Sequence, residues 1–307
     1  MSGSRAGCRY AELLSAMENV DLVLAVTGPD RPRGRGRKTL RCFIAGYCDR
    51  TGLTGYQTDD VNSADSLSVI KQAGADVAFV VDFGQILSKK TLDLFPSGCY
   101  NLHYSVLPDL RGAAPVRWAL IRGYDKTGVT LMEMNEKVDA GGILLTKEVE
   151  IRPQENHDLL KDRLTTEGLR LTESFFNQLA SGKKPLPVSQ PESGVSSAPK
   201  IRGGCRINWQ ESAQMIVNLN RGMSPVPGCG TRLVRKSLYL KLLSLRVAED
   251  AEALEPGRVS RVTKKSFSVS AADASVEVLS LQPEGKRVMT SEEFLAGNPL
   301  EKGDLFE

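Results

Sequence analysis

Apolar positions along this chain switch between two periods. Leu22 to Val26 and Asp76 to Val81 are short, nearly unbroken apolar runs of strand length, and Cys99 to His103 is a third such segment. Thr54 to Gln57 is a weaker strand. Between these runs the period becomes helical. Tyr10, Leu13, Leu14 and Met17 recur on one face of a helix within Met1 to Val20. Leu40 to Asp49, Ser63 to Ala73 and Ser88 to Phe95 read as helices, the second closed by Gly74. Pro115 to Arg122 is a helix with proline in its first turn. Thr127 to Met134 alternates as a strand does, Ile143 to Glu150 follows as another, and Asn156 to Ser181 is a long amphipathic helix. Strands alternating with helices predict an α/β domain built on a doubly wound, mostly parallel sheet.

The pattern changes after residue 183. Gly182 to Pro199 is rich in Pro, Ser, Gly and Lys, so a linker is expected over 184–203. Beyond it, Ser212 to Arg221 is helical, and short strands follow at Leu238 to Leu245, Gly257 to Val262, Ser266 to Ser270 and Ser275 to Gln282. That spacing suits a small β-barrel of the OB type over 204–307, behind a catalytic domain at 1–183.

The 307-residue length fits two domains, and 41% hydrophobic with 25% charged residues is an ordinary globular composition. The net charge of +3 does not by itself imply nucleic acid, but the charge is segregated. Lys200 to Val247 holds nine Lys and Arg against one acid, Glu211, whereas Ala248 to Glu307 holds seven basic against twelve acidic residues. The six cysteines include no CxxC pair, so free thiols in a reducing cytosol are expected. Two histidines and no zinc-spaced cluster leave no metal site expected. No run has the length of a membrane helix and the start lacks an apolar signal core, so a cytoplasmic protein is expected.

Candidate chemistry gathers in Asn101 to Pro115, NLHYSVLPDLRGAAP. Residues two apart on a strand share a face, so Asn101 and His103 project together at a strand end. Asp139 lies in the loop Val138-Asp139-Ala140-Gly141-Gly142 between two expected strands. A carboxylate orients an imidazole and stabilises its charged form. An amide can donate to an oxyanion. Amide, imidazole and carboxylate together suit acyl transfer. No GxSxG elbow supplies a nucleophile, so the attacking group belongs to a substrate. His157, flanked by Glu155 and Asp158, is expected at the surface. Arg31 to Lys38, RPRGRGRK, is either a solvated loop or a phosphate-contacting one.

The stretch NLHYSVLPDLRGAAP resembles the signature of the formyltransferase family that uses 10-formyltetrahydrofolate, in the branch that acts on initiator methionyl-tRNA. Pro29 to Lys38 is similar to that branch's basic loop, Phe83 to Leu87 to its folate-lining segment, and Val138 to Gly141 to its aspartate loop. Ala198-Pro199-Lys200, Asn208-Trp209, Ser224 to Gly228 and Leu281 to Lys286 resemble its C-terminal domain, so the likeness runs from about residue 5 to the end. It implies Asn101, His103 and Asp139 as the catalytic set, and Ser105, Val106, Leu107, Pro108, Phe83, Gly84, Gln85 and Ile86 around the folate. It implies Arg31, Arg33, Arg35, Arg37, Lys38, Lys200, Arg202, Arg206 and Arg232 as tRNA contacts, and a monomer.

Two departures from the family pattern carry expectations. The family has a β-strand just ahead of the first helix, and this chain starts almost at that helix. The sheet is therefore expected to lack its first strand, between Leu22–Val26 and Asp76–Val81, and with it one wall of the site. Tyr104 stands where a small residue is usual and is expected to crowd the folate loop. Two other functions fit parts of the pattern. A related transferase acting on a small amine needs neither the basic loop nor a basic C-terminal domain. A weakly active RNA-binding remnant fits the missing strand.

Overall fold

The computed structural model describes residues 1–33, 38–249 and 254–307, which form two compact units. The first comprises Met1–Pro115, Gly128–Val149 and Asp162–Pro199; the second comprises Val116–Thr127, Glu150–Lys161 and Lys200–Glu307. In chain order the elements begin with α1 (Arg5–Ala16), β1 (Ala25–Thr27), β2 (Arg31–Arg33), β3 (Lys38–Leu40), α2 (Phe43–Thr51), β4 (Gly55–Gln57) and α3 (Ala64–Gln72). They continue with β5 (Ala78–Val80), α4 (Lys89–Leu92), β6 (Cys99–His103), α5 (Pro115–Ile121), β7 (Lys126–Glu133), β8 (Ile143–Glu150) and α6 (His157–Ala180).

Serine caps explain where the early helices start. Ser4 accepts from the Gly7 N–H ahead of α1, and Ser63 accepts from Ser66 ahead of α3, each satisfying an amide that the helix cannot pair. Tyr10, Ala11 and Leu14 form the buried face of α1. The strands of this unit fall into separate ladders. β1 pairs parallel with β4, and a second sheet runs β5-β6-β7-β8. β5 and β6 are parallel, but β6 and β7 are antiparallel, with Asn101 opposite Met132 and His103 opposite Thr130. Among the described residues no strand lies between β1 and β5. The chain start bridges them by hydrogen bonds: Ser2 N–H donates to Val26 O at 3.1 Å, the Met1 ammonium to Phe79 O at 2.5 Å, and Val81 N–H to Met1 O at 3.0 Å.

The described ends of the basic stretch pair antiparallel, with Arg31 opposite Leu40 and Arg33 opposite Lys38. Arg35 and Arg37 lie outside the described residues.

Behind β6, aromatic rings fill the core. The fully buried Tyr100 meets Phe175 of α6 edge-on at a centroid distance of 4.6 Å, and Phe176 meets Phe79 at 5.7 Å. Tyr104 belongs to this layer too. It is 2% exposed, and its hydroxyl lies 3.2 Å from that of Tyr10 and 3.3 Å from Thr165 Oγ1. The expectation that it crowds the folate loop is therefore wrong: its side chain points inward, against α1 and α6.

The second unit contributes β9 (Cys205–Arg206), α7 (Ala213–Met223), β10 (Cys229–Leu233), β11 (Leu238–Val247), β12 (Val259–Val262), β13 (Phe267–Ser270), β14 (Ser275–Pro283), β15 (Met289–Thr290) and α8 (Ser291–Gly297). Its sheet follows the order β12-β13-β14-β11-β10-β9, with β15 on β14. The chain end bridges β10 and β12. Arg232 N–H donates to Glu307 O and Val234 N–H to Leu305 O, while Phe306 N–H donates to Gly257 O and Val259 N–H to Asp304 O. Inside, Phe306 stacks on Phe267 at 5.7 Å, and the buried Trp209 donates to Thr231 Oγ1 at 3.0 Å.

Not all six cysteines are free thiols, contrary to expectation. Cys205 and Cys229 are bonded, because β9 and β10 pair them directly and place their Cα atoms 4.6 Å apart. The 24-residue separation hid that neighbourhood from the sequence.

Phe175 is 0% exposed and bears on the strand that carries Asn101 and His103. Phe175→Ala is expected to cost about 3–5 kcal/mol. A thermal melt followed by circular dichroism checks this, and an unchanged midpoint contradicts the packing argument.

Candidate active site

β6 presents its alternate residues as the pleat requires. Asn101 is half-buried, and His103, two positions on, is 6% exposed. Asp139 reaches them from the turn between β7 and β8. Asn101 Nδ2 donates to Asp139 Oδ1 at 3.3 Å, and His103 Nδ1 lies 3.6 Å from Asp139 Oδ2. His103 Nε2 faces Leu110 O at 2.9 Å. A carbonyl only accepts, so Nε2 carries a proton and donates to it. Both ring nitrogens therefore face oxygen. Asn101, His103 and Asp139, expected together from the sequence, are brought together.

The chain holds the carboxylate with some force. Asp139 has φ of +48°, in the left-handed region. Gly112 N–H donates to its Oδ2 at 2.8 Å. Gly112 itself has φ of +117°, and a Cβ there would meet Ala198 O at 2.8 Å, so only glycine brings that amide to the site. Gln190 Nε2 donates to the carbonyls of Asp139 and Gly141, at 3.1 and 2.7 Å. The Gln190 carbonyl in turn accepts twice from the Arg111 guanidinium, at 3.0 and 2.7 Å. Residues 188–198 run along this unit as a strap: Val188 pairs with Ile143, Ala198 N–H donates to Arg111 O, and Ser196 Oγ bonds Leu110 N and Asp109 Oδ1.

The expected folate residues sit on two loops at one edge. β5 and β6 are parallel neighbours, so their C-terminal ends open on the same side, where α/β sheets bind ligands. Ser105, Val106, Leu107 and Pro108 follow β6. Ser105 Oγ donates to Asp109 O at 2.6 Å, and Thr130 Oγ1 bridges Ser105 O and Leu107 N. Phe83, Gly84, Gln85 and Ile86 follow β5. Gln85 is tied to the neighbouring loop through Val61 N and Thr58 O, and Ile86 is left 64% exposed.

The expected tRNA contacts divide between the units. Arg31 is exposed, with Asp59 4.0 Å away, and Arg33 and Lys38 are opposed in the antiparallel pair. In the second unit Lys200, Arg202, Arg206 and Arg232 are all exposed. Arg206 pairs with Gly230, two residues before Arg232, so both arginines project from one face of the β9–β10 edge. Arg206 also lies 3.7 Å from Glu307 Oε2.

His157, expected at the surface, is only 20% exposed; it lies 2.7 Å from Asp158 Oδ1, and burial, then Arg117, lowers its proton affinity. Among the residues that sequence reasoning missed, Arg111 and Gly112 lay inside the stretch singled out, and Thr130 was one more polar position in an alternating strand. Gln190 had no signal, lying in a polar, Pro-rich segment.

Residues 2–173 match the family described as Formyl transferase, and residues 202–299 match Formyl transferase, C-terminal domain. The chain belongs to the formyl transferase family. Curated relatives narrow this. The methionyl-tRNA formyltransferase of Moorella thermoacetica is 35% identical over 286 residues, 93% of this chain and 91% of the relative. That of Alkaliphilus metalliredigens is 36% identical over 288 residues, 93% of this chain and 90% of the relative. Within the family the chain belongs with the methionyl-tRNA formyltransferases. Solved structures agree on the fold. The sugar 3N-formyl transferase WlaRD superposes with a TM-score of 0.64 at 14% identity, over 93% of this chain and 97% of that one. HypX from Aquifex aeolicus, in complex with tetrahydrofolic acid, gives 0.58 at 17% identity, over 85% of this chain and 48% of that one. Among the described residues no helix is long and apolar enough to cross a membrane.

Gln190→Ala removes the donor to two loop carbonyls and leaves the Arg111 guanidinium only its bond to Pro191 O, a defect of about 1–3 kcal/mol at the loop. Formyl transfer is expected to fall roughly ten-fold or more, in proportion to that energy, with tRNA affinity unchanged. Single-turnover kinetics beside a binding titration separates the two, and a wild-type rate contradicts the strap's role.

Proposed function

We infer that this chain transfers a formyl group from 10-formyltetrahydrofolate to the free amino group of methionine on initiator methionyl-tRNA, for translation initiation. The observation that carries this reading is the Asn101–His103–Asp139 cluster at a strand end, in a chain that belongs to the formyl transferase family. 10-Formyltetrahydrofolate supplies the activated formyl carbon. The methionine amine is the nucleophile, since no side chain at the site is arranged as one. Asn101 Nδ2 carries a second N–H for the formyl oxygen as negative charge grows there. His103 stabilises the same oxygen when its Nε2–H turns to it from the Leu110 carbonyl. Asp139 orients His103 and takes up the proton that the amine loses, directly or through a water; the bond from the formyl carbon to the folate nitrogen then breaks, and that nitrogen receives the proton as tetrahydrofolate leaves.

Ser105 to Pro108 and Phe83 to Ile86 flank the folate. Their placement on adjacent strand ends supports this, as does the exposed apolar Ile86. The basic stretch (Arg31, Arg33, Arg35, Arg37, Lys38) and Lys200, Arg202, Arg206 and Arg232 contact tRNA phosphates. Residues 1–183 are the catalytic domain, 184–203 the linker and 204–307 the tRNA-binding domain. The last is an OB-like barrel closed by its own C-terminal residues, a reading supported by the hydrogen bonds of residues 304–307. The protein works as a monomer in the cytoplasm.

The direct test is formylation of charged initiator tRNA. Turnover of a small free amine without turnover of the tRNA overturns the reading, as does salt-dependent tRNA binding with no transfer. Asp139→Asn is expected to slow transfer by about 10²–10⁴-fold while tRNA affinity stays as it was; undiminished turnover contradicts the assignment. Arg232→Ala is expected to lower the slope of log affinity against log salt by about one unit. A filter-binding salt series reads this, and an unaltered slope removes Arg232 from the interface.

A further inference from the structure

In the second unit, β10 and β11 turn one face inward and the other outward. Cys229, Thr231 and Leu233 of β10 are buried, as are Leu240 and Leu242 of β11. The residues between them point the other way. Register places Arg206 of β9 beside Gly230 of β10, Gly230 beside Lys241 of β11, and Arg232 beside Tyr239. Three cations and one aromatic ring therefore share one outward patch of sheet. We propose that Tyr239 is a stacking platform for an unpaired base of an RNA strand, with the phosphates on either side of that base held by Arg232 and Lys241. The platform rests on the tRNA reading of this chain and specifies which kind of RNA segment this face takes.

Gly230 makes room for the ring. Tyr239 reaches diagonally to the neighbouring strand, and a Cβ at position 230 would collide with its Oη and Cζ and lie 2.9 Å from its Cε2. Glycine lets the outer half of the ring settle onto the β10 backbone. Gly230 is buried in consequence, while Tyr239 stays 44% exposed. A ring supported from below and open above offers a flat surface at little further loss of side-chain freedom.

Lys241 is laid down in the same way. A Cβ at Gly228 would collide with Lys241 Cε and lie 2.9 Å from Cδ and 3.0 Å from Nζ. Gly228 has φ of +90°, a backbone conformation that already favours glycine. The lysine stem is therefore packed along the sheet, two residues and about 7 Å from Tyr239 on the same strand. Burial lowers the proton affinity of its ammonium, and no carboxylate among the described residues offsets this. An anion beside it would restore that affinity. Arg232, directly across from Tyr239, is exposed. The acids of this face stand at its margins: Glu307 lies 3.7 Å from Arg206, and Glu284 follows the end of β14, its N–H donating to Tyr239 O.

The arrangement selects its ligand. A π-face with a cation on each side matches a base with a phosphate on each side. Every base has a π-face, so such a platform binds a strand without reading its sequence. A base inside a duplex has both faces covered by its neighbours, so only an unpaired one can use the ring. An aromatic side chain over a strand glycine also steadies a sheet, and the test has to separate that role from stacking.

The full chain is titrated with a single-stranded oligoadenylate of about ten residues and, separately, with a blunt RNA duplex. Tyr239→Phe keeps the ring. Tyr239→Leu keeps an apolar cover on Gly230 and removes the π-face. The Phe variant is expected to bind the single strand as the parent does, and the Leu variant at least about ten-fold more weakly. The slope of log affinity against log salt stays the same in the Leu variant, since no charge is lost, and falls by about one unit in Lys241→Gln. Duplex affinity is expected to be equal in the parent and both Tyr239 variants. A Leu variant that binds the single strand as tightly as the parent overturns the proposal. So does one that loses duplex affinity to the same extent, because the ring then serves only to hold its neighbours. Formyl transfer plays no part in these titrations. A chain that binds oligoadenylate through Tyr239 but does not formylate initiator tRNA loses the catalytic reading and keeps the platform.

Discussion

A carboxylate carried on the turn between β7 and β8 has to be held against two side chains of the neighbouring strand, and the rest of the catalytic unit is arranged around that requirement. Asp139 is 14% exposed in its side chain, so its charge is largely removed from water. Such a charge is tolerable only with close donors. Gly112 N–H, Asn101 Nδ2 and the His103 ring supply them. The turn cannot relax to something easier, because a Cβ at Gly141 would collide with Glu133 O and because Gln190 grips the carbonyls on either side of Ala140. The antiparallel pairing of β6 with β7 sets the distance that the turn must span, and Tyr100 packed on Phe175 fixes β6 against α6.

Much of this was legible in the sequence because it depends on local period. Asn101 and His103 share a face through their spacing alone, and the helices expected over Ser63 to Ala73 and Ser212 to Arg221 form there. What stayed hidden depended on long-range pairing. Gln190 lies 51 residues from Asp139, in a segment whose composition suggests only a linker. Cys205 and Cys229 became neighbours only once β9 and β10 paired. Tyr104 was misread because its direction is set by Tyr10 and Thr165, distant in sequence, rather than by the loop that follows it. The antiparallel turn of β7 was also invisible, since alternation marks a strand and not its direction.

The site strand, β6, has partners on both sides: β5 through Ala78 to Val80 and β7 through Thr130 to Glu133. Asn101, His103 and Asp139 are held by β6, by the β7–β8 turn and by the strap at 188–198, so their geometry does not depend on how β5 meets β1. The far edge of β5 is joined to β1 by the chain start and by the packing of Val26 on Ala78 and Val80. A change at that edge therefore acts first on the stability of the sheet, and only then, through the loop at Phe83 to Ile86 that follows β5, on the wall of the candidate folate site.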